Sequence, residues 1–174
     1  MDIVVNSKGA RTAAVILLLA LAGLMGWSAW QQGLIPNPES EPALPPDALA
    51  AAKGVSAFYT LDFTEPPNLW PQRVCAYTTQ EGCKAIQDFF APAVIASAER
   101  YQVRTQAMAE PLQVVADLGT RRIWKLAVTL TNPWSDETVG AQEVYAEVRQ
   151  EGGQWLLERI LFEQEIAQYL TPAP

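Results

Sequence analysis

The sequence contains no histidine. Histidine is the commonest general acid or base near neutral pH and the commonest metal ligand in proteins. Its absence excludes Ser-His and Cys-His catalytic pairs. The chain also carries no nucleophile elbow, phosphate-binding glycine loop or metal-ligand spacing. We therefore expect no metal, no cofactor and no enzymatic activity.

Cysteine is nearly absent as well, with two residues, Cys75 and Cys83, in the segment CAYTTQEGC. The spacing is not the C-x-x-C of redox centres, and two thiolates without histidine make a poor metal site. In an oxidising compartment so close a pair favours a disulfide. We predict that it closes a short loop between two helices, at a gain of about 2–3 kcal/mol.

Basic residues are scarce, with 12 Lys and Arg against 19 Asp and Glu, for a net charge of −7. An acidic surface repels phosphate backbones, and the pair Arg121-Arg122 is no basic cluster. The composition therefore predicts no direct nucleic-acid partner.

Charge is missing altogether from residues 13–30, AAVILLLALAGLMGWSAW. The run has the length that a bilayer demands of a helix. Lys8 and Arg11 precede it, so the positive-inside bias puts residues 1–12 in the cytoplasm. We predict a single-pass protein of the cytoplasmic membrane, with its bulk on the extracytoplasmic side.

A cleaved signal peptide is the alternative interpretation of the same run. Its apolar core would be residues 13–24, and Gly26-Trp27-Ser28 is a passable cleavage site. Trp27 and Trp30, at the level of an interfacial aromatic belt, favour the retained anchor. Both interpretations place the remaining chain outside the membrane.

A proline-rich linker follows over residues 31–46, QQGLIPNPESEPALPP. This composition favours an extended, semi-rigid stalk. It leaves one extracytoplasmic domain, residues 47–174.

Helical periodicity dominates the first half of that domain. Asp47 can cap a first helix over 48–62, which Pro66-Pro67 ends. Residues 68–82 are predicted irregular, and a second helix over 83–100 should kink or split at Pro92. The predicted buried face of the first helix consists of Leu49, Ala52, Val55, Ser56 and Tyr59.

After Tyr101 the apolar residues change from helical spacing to the alternating spacing of β-strands. The predicted strands are 112–118, 122–131, 139–150 and 154–163, with a hairpin turn at Gly152-Gly153 and a short helical turn at 166–170. Apolar residues on both faces of the last strand suggest a central strand covered on both sides. The fold class is α+β, with two or three helices on an antiparallel sheet of at least four strands.

This order resembles the nuclear transport factor 2-like superfamily. The resemblance is carried by AFYTLD at 57–62, an aromatic end to the first helix, and by GGQWLL at 152–157, a glycine turn before a Trp-containing strand. It implies a curved sheet wrapped on helices, with a conical pocket between them.

Anchored members of this superfamily include TcpC-like conjugation proteins and inner-membrane assembly factors of type IV secretion systems. The resemblance to them implies a non-enzymatic scaffold whose partners are the membrane, other secretion-apparatus proteins and copies of itself. The chain departs from the TcpC-like pattern by having one such domain instead of two. The predicted disulfide loop has no counterpart there.

The superfamily also contains ketosteroid isomerase-like and SnoaL-like enzymes. The corresponding pocket candidates here are Tyr59, Asp62, Asp117 and Trp124. A phenol and a carboxylate in a dry pocket can polarise a carbonyl and move a proton. The simpler interpretation puts Tyr59 and Trp124 in the core and both acids in solvent. The first alternative to a scaffold is a domain that binds a small ligand, and the second is an enzyme.

Two further tryptophans, Trp70 and Trp134, fall among turn residues. Exposed aromatic side chains often anchor interfaces. They are the predicted contact residues.

Overall fold

The computed structural model describes residues 43–135 and 137–170. The predicted cytoplasmic segment (1–12), the transmembrane helix (13–30) and most of the linker (31–46) lie outside them. None of the helices in the described part of the chain has the length and apolar character needed to cross a membrane.

Helices form the first half of the domain and its end. They are α1 (Pro46–Tyr59), α2 (Leu69–Cys75), α3 (Gln80–Ala85), α4 (Ala91–Tyr101) and α5 (Glu163–Leu170). A π-helical turn, Ile86–Phe90, joins α3 to α4 directly before Pro92. The chain therefore stays helical through this region and does not split in two, and the predicted irregularity takes the form of a π turn just before Pro92, whose nitrogen has no hydrogen to donate.

In the described part of the chain, five antiparallel strands form one sheet in the order β1-β2-β3-β4-β5. Their bounds are β1 (Leu61–Asp62), β2 (Arg104–Asp117), β3 (Arg121–Thr131), β4 (Thr138–Glu151) and β5 (Gln154–Leu161). The α+β class and the antiparallel meander are confirmed. The superfamily itself stays a prediction.

The structure differs from the predicted elements at four places. The first helix ends at Tyr59, and Leu61–Asp62, predicted to be helical, form strand β1. Strand β2 begins at Arg104, eight residues before the predicted start, because pairing first with β1 and then with β3 overrides its polar composition. Helix α2 occupies part of the segment predicted irregular. Strand β5 is the last strand of the sheet, not a central one.

Small residues form the face of α1 that lies on the sheet. Ala48, Ala51 and Val55 are fully buried, whereas Leu49, predicted to face the core, is exposed. A Cβ atom at Gly54 would lie 2.6 Å from the Leu157 Cβ. The helix can lie this close to β5 because glycine and alanine take the facing positions.

The outer edge of β2 is covered by hydroxyl groups of the α1 region. The Ala107 amide donates to Thr60 Oγ1 at 3.1 Å, and the Ala109 amide donates to Ser56 Oγ at 3.0 Å. Pro111, farther along the strand, has no amide hydrogen to satisfy. These contacts occupy donors that an edge strand would otherwise leave open.

The outer edge of β5 is covered by residues 76–79, which we call the sealing loop. The Leu157 amide donates to the Tyr77 carbonyl at 2.9 Å, and the Thr79 amide donates back to the Leu157 carbonyl at 2.9 Å. A disulfide between Cys75 and Cys83, with Cα atoms 4.8 Å apart, closes the chain around this loop. The predicted disulfide thus joins two helices and holds a sheet edge.

Thr79 and Gly82 fix the start of α3 against β5. Thr79 is the N-cap of α3; its hydroxyl oxygen accepts from the Gly82 amide at 3.0 Å and donates to Glu158 at 2.6 Å. Glu158 is the extra residue of a β-bulge, because Glu147 pairs with Arg159 and Val148 with Leu157. The bulge turns a carboxylate toward the helix start.

The same bulge lets β5 contribute to two cores. Leu157 packs in the main core with α1, Trp124 and Leu126. Leu161 packs on the opposite face of the sheet with Ile123 and Ile166 of α5. The apolar pattern on both faces of β5 thus reflects cover by two helices at the end of the sheet.

We expect Gly82→Ala to lower the free energy of unfolding by about 1–3 kcal/mol. The added Cβ would lie 2.6 Å from the Glu158 carbonyl oxygen, so α3 would have to move off β5. Gly140→Ala is the matched control, since its Cβ would meet only Leu130 Cδ1 at 3.8 Å. Urea denaturation of both variants checks this; equal effects would contradict a close contact at Gly82.

Candidate functional site

A cavity of ≈ 120 Å³ lies between β5 and the helices, and we call it the β5 cavity. Its walls come from the end of α1, from α3 with the π turn, and from β5. They include Phe58, Tyr59, Ala85, Ile86, Phe90, Leu157, Glu158, Ile160 and Phe162. Most of this surface is apolar, so the cavity suits an apolar group.

Tyr59 is the predicted pocket residue that lines the β5 cavity. It is half-buried and packs against the main core. Burial raises the pKa of its phenol, against a hydrogen bond with the Gln142 side chain. The phenol is therefore protonated at neutral pH.

Asp62 lies outside this cavity, in the short strand β1. Its carboxylate accepts the Thr64 amide at 2.9 Å and pairs with Arg104 at 2.7 Å. Burial acts to raise the pKa of Asp62, but the Thr64 hydrogen bonds and the Arg104 charge hold it below its ordinary value. The carboxylate closes a turn and pairs two strands.

Asp117 is the last residue of β2, and Trp124 lies beside it in β3, where it pairs with Val114 of β2. Asp117 is exposed and accepts from Arg122 Nε at 3.1 Å. Trp124 is buried, and its indole nitrogen donates to Asp47 at 2.9 Å. Asp62 pairs with Arg104, the first residue of β2, and Asp117 is its last, so the two acids are on the order of 40 Å apart along the strand.

The four predicted pocket residues therefore do not converge on one site. The carboxylate that lines the β5 cavity beside Tyr59 is Glu158. It is already engaged by the Thr79 hydroxyl and by Arg149 Nε at 3.2 Å. Within residues 43–135 and 137–170, no cluster of acidic or cysteine side chains could hold a metal ion.

The two predicted contact tryptophans occupy opposite environments. Trp70 belongs to α2 and is 4% exposed, and its indole nitrogen donates to the Phe58 carbonyl at 3.1 Å. It packs with Val74 and Ile86 in a core between the helices, so it is not accessible to a partner. Trp134 is 71% exposed in the β3–β4 loop, with the Arg104 guanidinium 4.1 Å from its ring.

Asp47 is a buried acid whose role the sequence did not reveal. The expected helix cap is absent; its side chain is 1% exposed and pairs with Arg122 at 3.0 Å while accepting from Trp124. Burial acts to raise the pKa of Asp47, but the hydrogen bonds from Arg122 and Trp124 hold it below its ordinary value. In the sequence, an acid directly before an apolar helix resembles a helix cap. The true partners of Asp47 lie about half the chain away, so no local pattern reveals them.

Glu147 is a second buried acid, on the face of the sheet opposite α1. It is held between Arg121 at 3.2 Å and Arg159 at 3.0 Å. Arg159 also pairs with Glu165 of α5 at 3.0 Å. The two guanidinium groups give the buried carboxylate close ionic partners on both sides, which offsets the cost of removing it from water.

The chain was compared with protein families, curated proteins and solved structures. Neither a protein-family model nor a curated protein matches the chain. The structure is similar to the crystal structure of an IcmL-like type IV secretion system protein from Legionella pneumophila. The identity is 15%, the similarity covers 66% of this chain and 87% of that one, and the TM-score is 0.45.

We expect Asp47→Asn to lower the free energy of unfolding by about 1–2 kcal/mol, because it leaves Arg122 beside a neutral buried group. Asp117→Asn is the matched control on the same arginine and should stay within about 0.5 kcal/mol, since that carboxylate is exposed.

The pH dependence follows from the lowered pKa. The stabilisation by Asp47 is present above its ordinary value of 3.8 and is lost as pH falls through its lower folded-state pKa. Urea denaturation from pH 6 to pH 2 should therefore show a shallower acid loss for Asp47→Asn than for the parent. If the parent and Asp47→Asn lose the same stability between pH 6 and pH 2, a charged, buried Asp47 would be contradicted.

Proposed function

We propose that the chain is a membrane-anchored, non-enzymatic interaction module on the extracytoplasmic side of the cytoplasmic membrane. The observation that carries this proposal is the contrast between its acids and its aromatics. Its buried acids are used up in structural ion pairs, whereas several large aromatic side chains face solvent.

The acids support the proposal by the partners they have. Asp47, Asp62 and Glu147 each pair with an arginine that belongs to the sheet. Acids used in this way hold strands and helices together, and general acids or bases need a free face toward a substrate.

The aromatics support it by their exposure. The ring of Trp134 in the β3–β4 loop makes a cation–π contact with the Arg104 guanidinium and is otherwise open to solvent. Phe89 of the π turn is 75% exposed. Keeping such surface in water costs free energy, and contiguous apolar patches on a protein surface mark interaction sites. Partner contacts would recover that cost.

The anchor would supply the rest of the affinity. The uncharged run over 13–30 confines the domain to a plane, which raises its effective concentration toward other membrane components. Weak contacts through a few exposed side chains then suffice.

A conjugative or type IV secretion-like apparatus is the assembly we propose for it. This assignment extends the resemblance to anchored members of the nuclear transport factor 2-like superfamily. The Legionella protein compared above is also a type IV secretion system protein, but a similarity at that TM-score carries no argument by itself.

The β5 cavity favours a second candidate, a carrier or sensor of a small apolar ligand. An apolar cavity of ≈ 120 Å³ can hold a group of about benzene's size. A ligand of this kind would raise the melting temperature in proportion to the logarithm of its concentration.

We expect the full-length chain, purified from its native membrane in mild detergent, to bring down channel or transfer-ATPase components identified by mass spectrometry. Trp134→Ala should reduce their recovery by about tenfold without changing the melting temperature, since a central anchor contributes roughly 1.4 kcal/mol or more. Leu118→Ala, an exposed change at the other end of β3, is the control.

If all of the purified chain is recovered without any copurifying protein, the assembly proposal would be contradicted. Equal recovery with both variants would remove Trp134 from the interface.

A further inference from the structure

A groove, which we call the α1 groove, runs along α1 between this helix, the sealing loop with the end of α2, and the start of β5. Two neighbouring cavities of ≈ 320 Å³ and ≈ 380 Å³ form it, and Lys53 and Tyr77 line both. The helix contributes one continuous stripe at helical spacing: Pro46, Leu49, Lys53, Ser56 and Thr60. At 1.5 Å per residue the stripe is on the order of 20 Å long.

The half of the α1 groove toward the start of α1 is apolar. Leu49 of the helix and Trp155 and Leu156 of β5 line it. Leu49 is 40% exposed, although its spacing in the sequence predicts a buried position. An apolar side chain bound in this half would remove Leu49 from water, which is the favourable part of hydrophobic contact.

Lys53 and Tyr77 lie where the two halves of the groove meet, and both have free donors. Among residues 43–135 and 137–170, the Lys53 ammonium has no ion-pair partner and the Tyr77 hydroxyl has no hydrogen-bond partner. The other charged residue of the two linings, Arg73, is already paired with Glu65 at 3.0 Å and donates to the Thr60 carbonyl.

The local charge of the groove therefore selects its occupant. No acidic side chain belongs to either lining. A carboxylate placed at the junction would accept from the Lys53 ammonium and the Tyr77 hydroxyl, and both donors are otherwise unused. A basic group there would face Lys53 with no acid to offset the repulsion.

The openness of the groove to solvent decides between a peptide and an anionic amphiphile. An aliphatic tail laid in an open groove would keep much of its apolar surface in water. A peptide segment turns alternate side chains toward the groove and leaves its polar backbone in water. The geometry thus favours a protein segment.

We propose that the α1 groove binds an extended segment of a partner protein, with an aspartate or glutamate at Lys53 and Tyr77 and a large apolar side chain against Leu49 and Trp155. Leu49 and Lys53 are one helical turn apart, about 6 Å, which matches residues i and i+2 of an extended chain. This inference rests on the proposed function, because it specifies the surface and the chemistry of the partner.

The test uses the full-length chain in nanodiscs of zwitterionic lipid and short peptides that carry a 4-fluoro label on a phenylalanine ring. The acidic peptide is Ser-Glu-Ser-Phe-Ser, and the basic peptide has lysine in place of glutamate. Unlabelled Ser-Glu-Ser-Ala-Ser and octanoate are the competitors. Binding is read from ¹⁹F NMR line broadening and its displacement.

The acidic peptide should bind about fivefold more tightly than the basic one at about 150 mM salt, where distant charges are screened. The net charge of −7 favours the basic peptide, so this preference would report the local charge of the groove. Lys53→Glu should reverse the preference. Arg100→Glu, the same change of charge at an exposed residue of α4 outside both linings, should keep it.

The apolar half is tested by a matched pair of leucines, each 40% exposed. Leu49→Ser should weaken binding of the acidic peptide about tenfold, because it removes the apolar contact. Leu69→Ser, on α2 and outside both linings, should leave binding unchanged. The alanine peptide should not displace the phenylalanine peptide.

Three results would overturn the inference. A preference for the basic peptide, or a preference that Lys53→Glu does not change, would exclude an acidic partner at Lys53. Displacement by the alanine peptide, or equal effects of the two leucine variants, would exclude the apolar contact. Octanoate binding more tightly than the acidic peptide would replace the protein segment with an anionic amphiphile.

The inference and the proposed function fail in different ways. Peptide binding with the expected preference, but without copurifying apparatus components, would sustain this inference and refute the proposed assembly. Copurification of those components without peptide binding would do the reverse.

Discussion

Two backbone hydrogen bonds between Leu157 and the sealing loop are the constraint on which this domain depends. They occupy the outer edge of β5, the position where a sheet is most exposed to unwanted pairing. The loop can reach this edge because the Cys75–Cys83 disulfide closes the chain around it and because Gly82 has no side chain to meet the Glu158 carbonyl.

The position of α3 and the π turn follows from that contact. The Thr79 hydroxyl both caps α3 and donates to Glu158 in the bulge of β5. These two hydrogen bonds fix the first turn of α3 at the edge of the sheet. The β5 cavity is the space left between this helix, the end of α1 and β5. The wall that α3 and the π turn contribute to this cavity therefore depends on a nine-residue segment closed by a disulfide.

Local patterns were enough to predict the elements that long-range contacts leave unchanged. The glycine pair 152–153 takes positive φ at both residues, as a tight hairpin requires, and the irregular helix before Pro92 fits the missing amide hydrogen of that residue. Strand β2 could not be bounded in this way, since its first half is largely polar and becomes a strand through its pairing with β1 and β3.

The candidate site was less predictable because its contacts join distant segments. The disulfide could be inferred from spacing and compartment, but no pattern announces that its loop pairs with Leu157. Trp70 and Trp134 have similar turn-rich neighbours, and only α2 decides that the first is buried. The bonds of Asp47 span more than seventy residues, so its sequence neighbours suggest a helix cap instead.

Amide hydrogen exchange at Leu157 tests the central claim most directly, by comparing the full-length chain with the Cys75→Ser, Cys83→Ser variant. The account predicts that Leu157 exchanges at least about tenfold faster in the variant, beyond any increase shared with the central strand β3, because the loop opens locally. Equal changes at Leu157 and across β3 would show only a general loss of stability. They would contradict the claim that the disulfide holds the edge of β5.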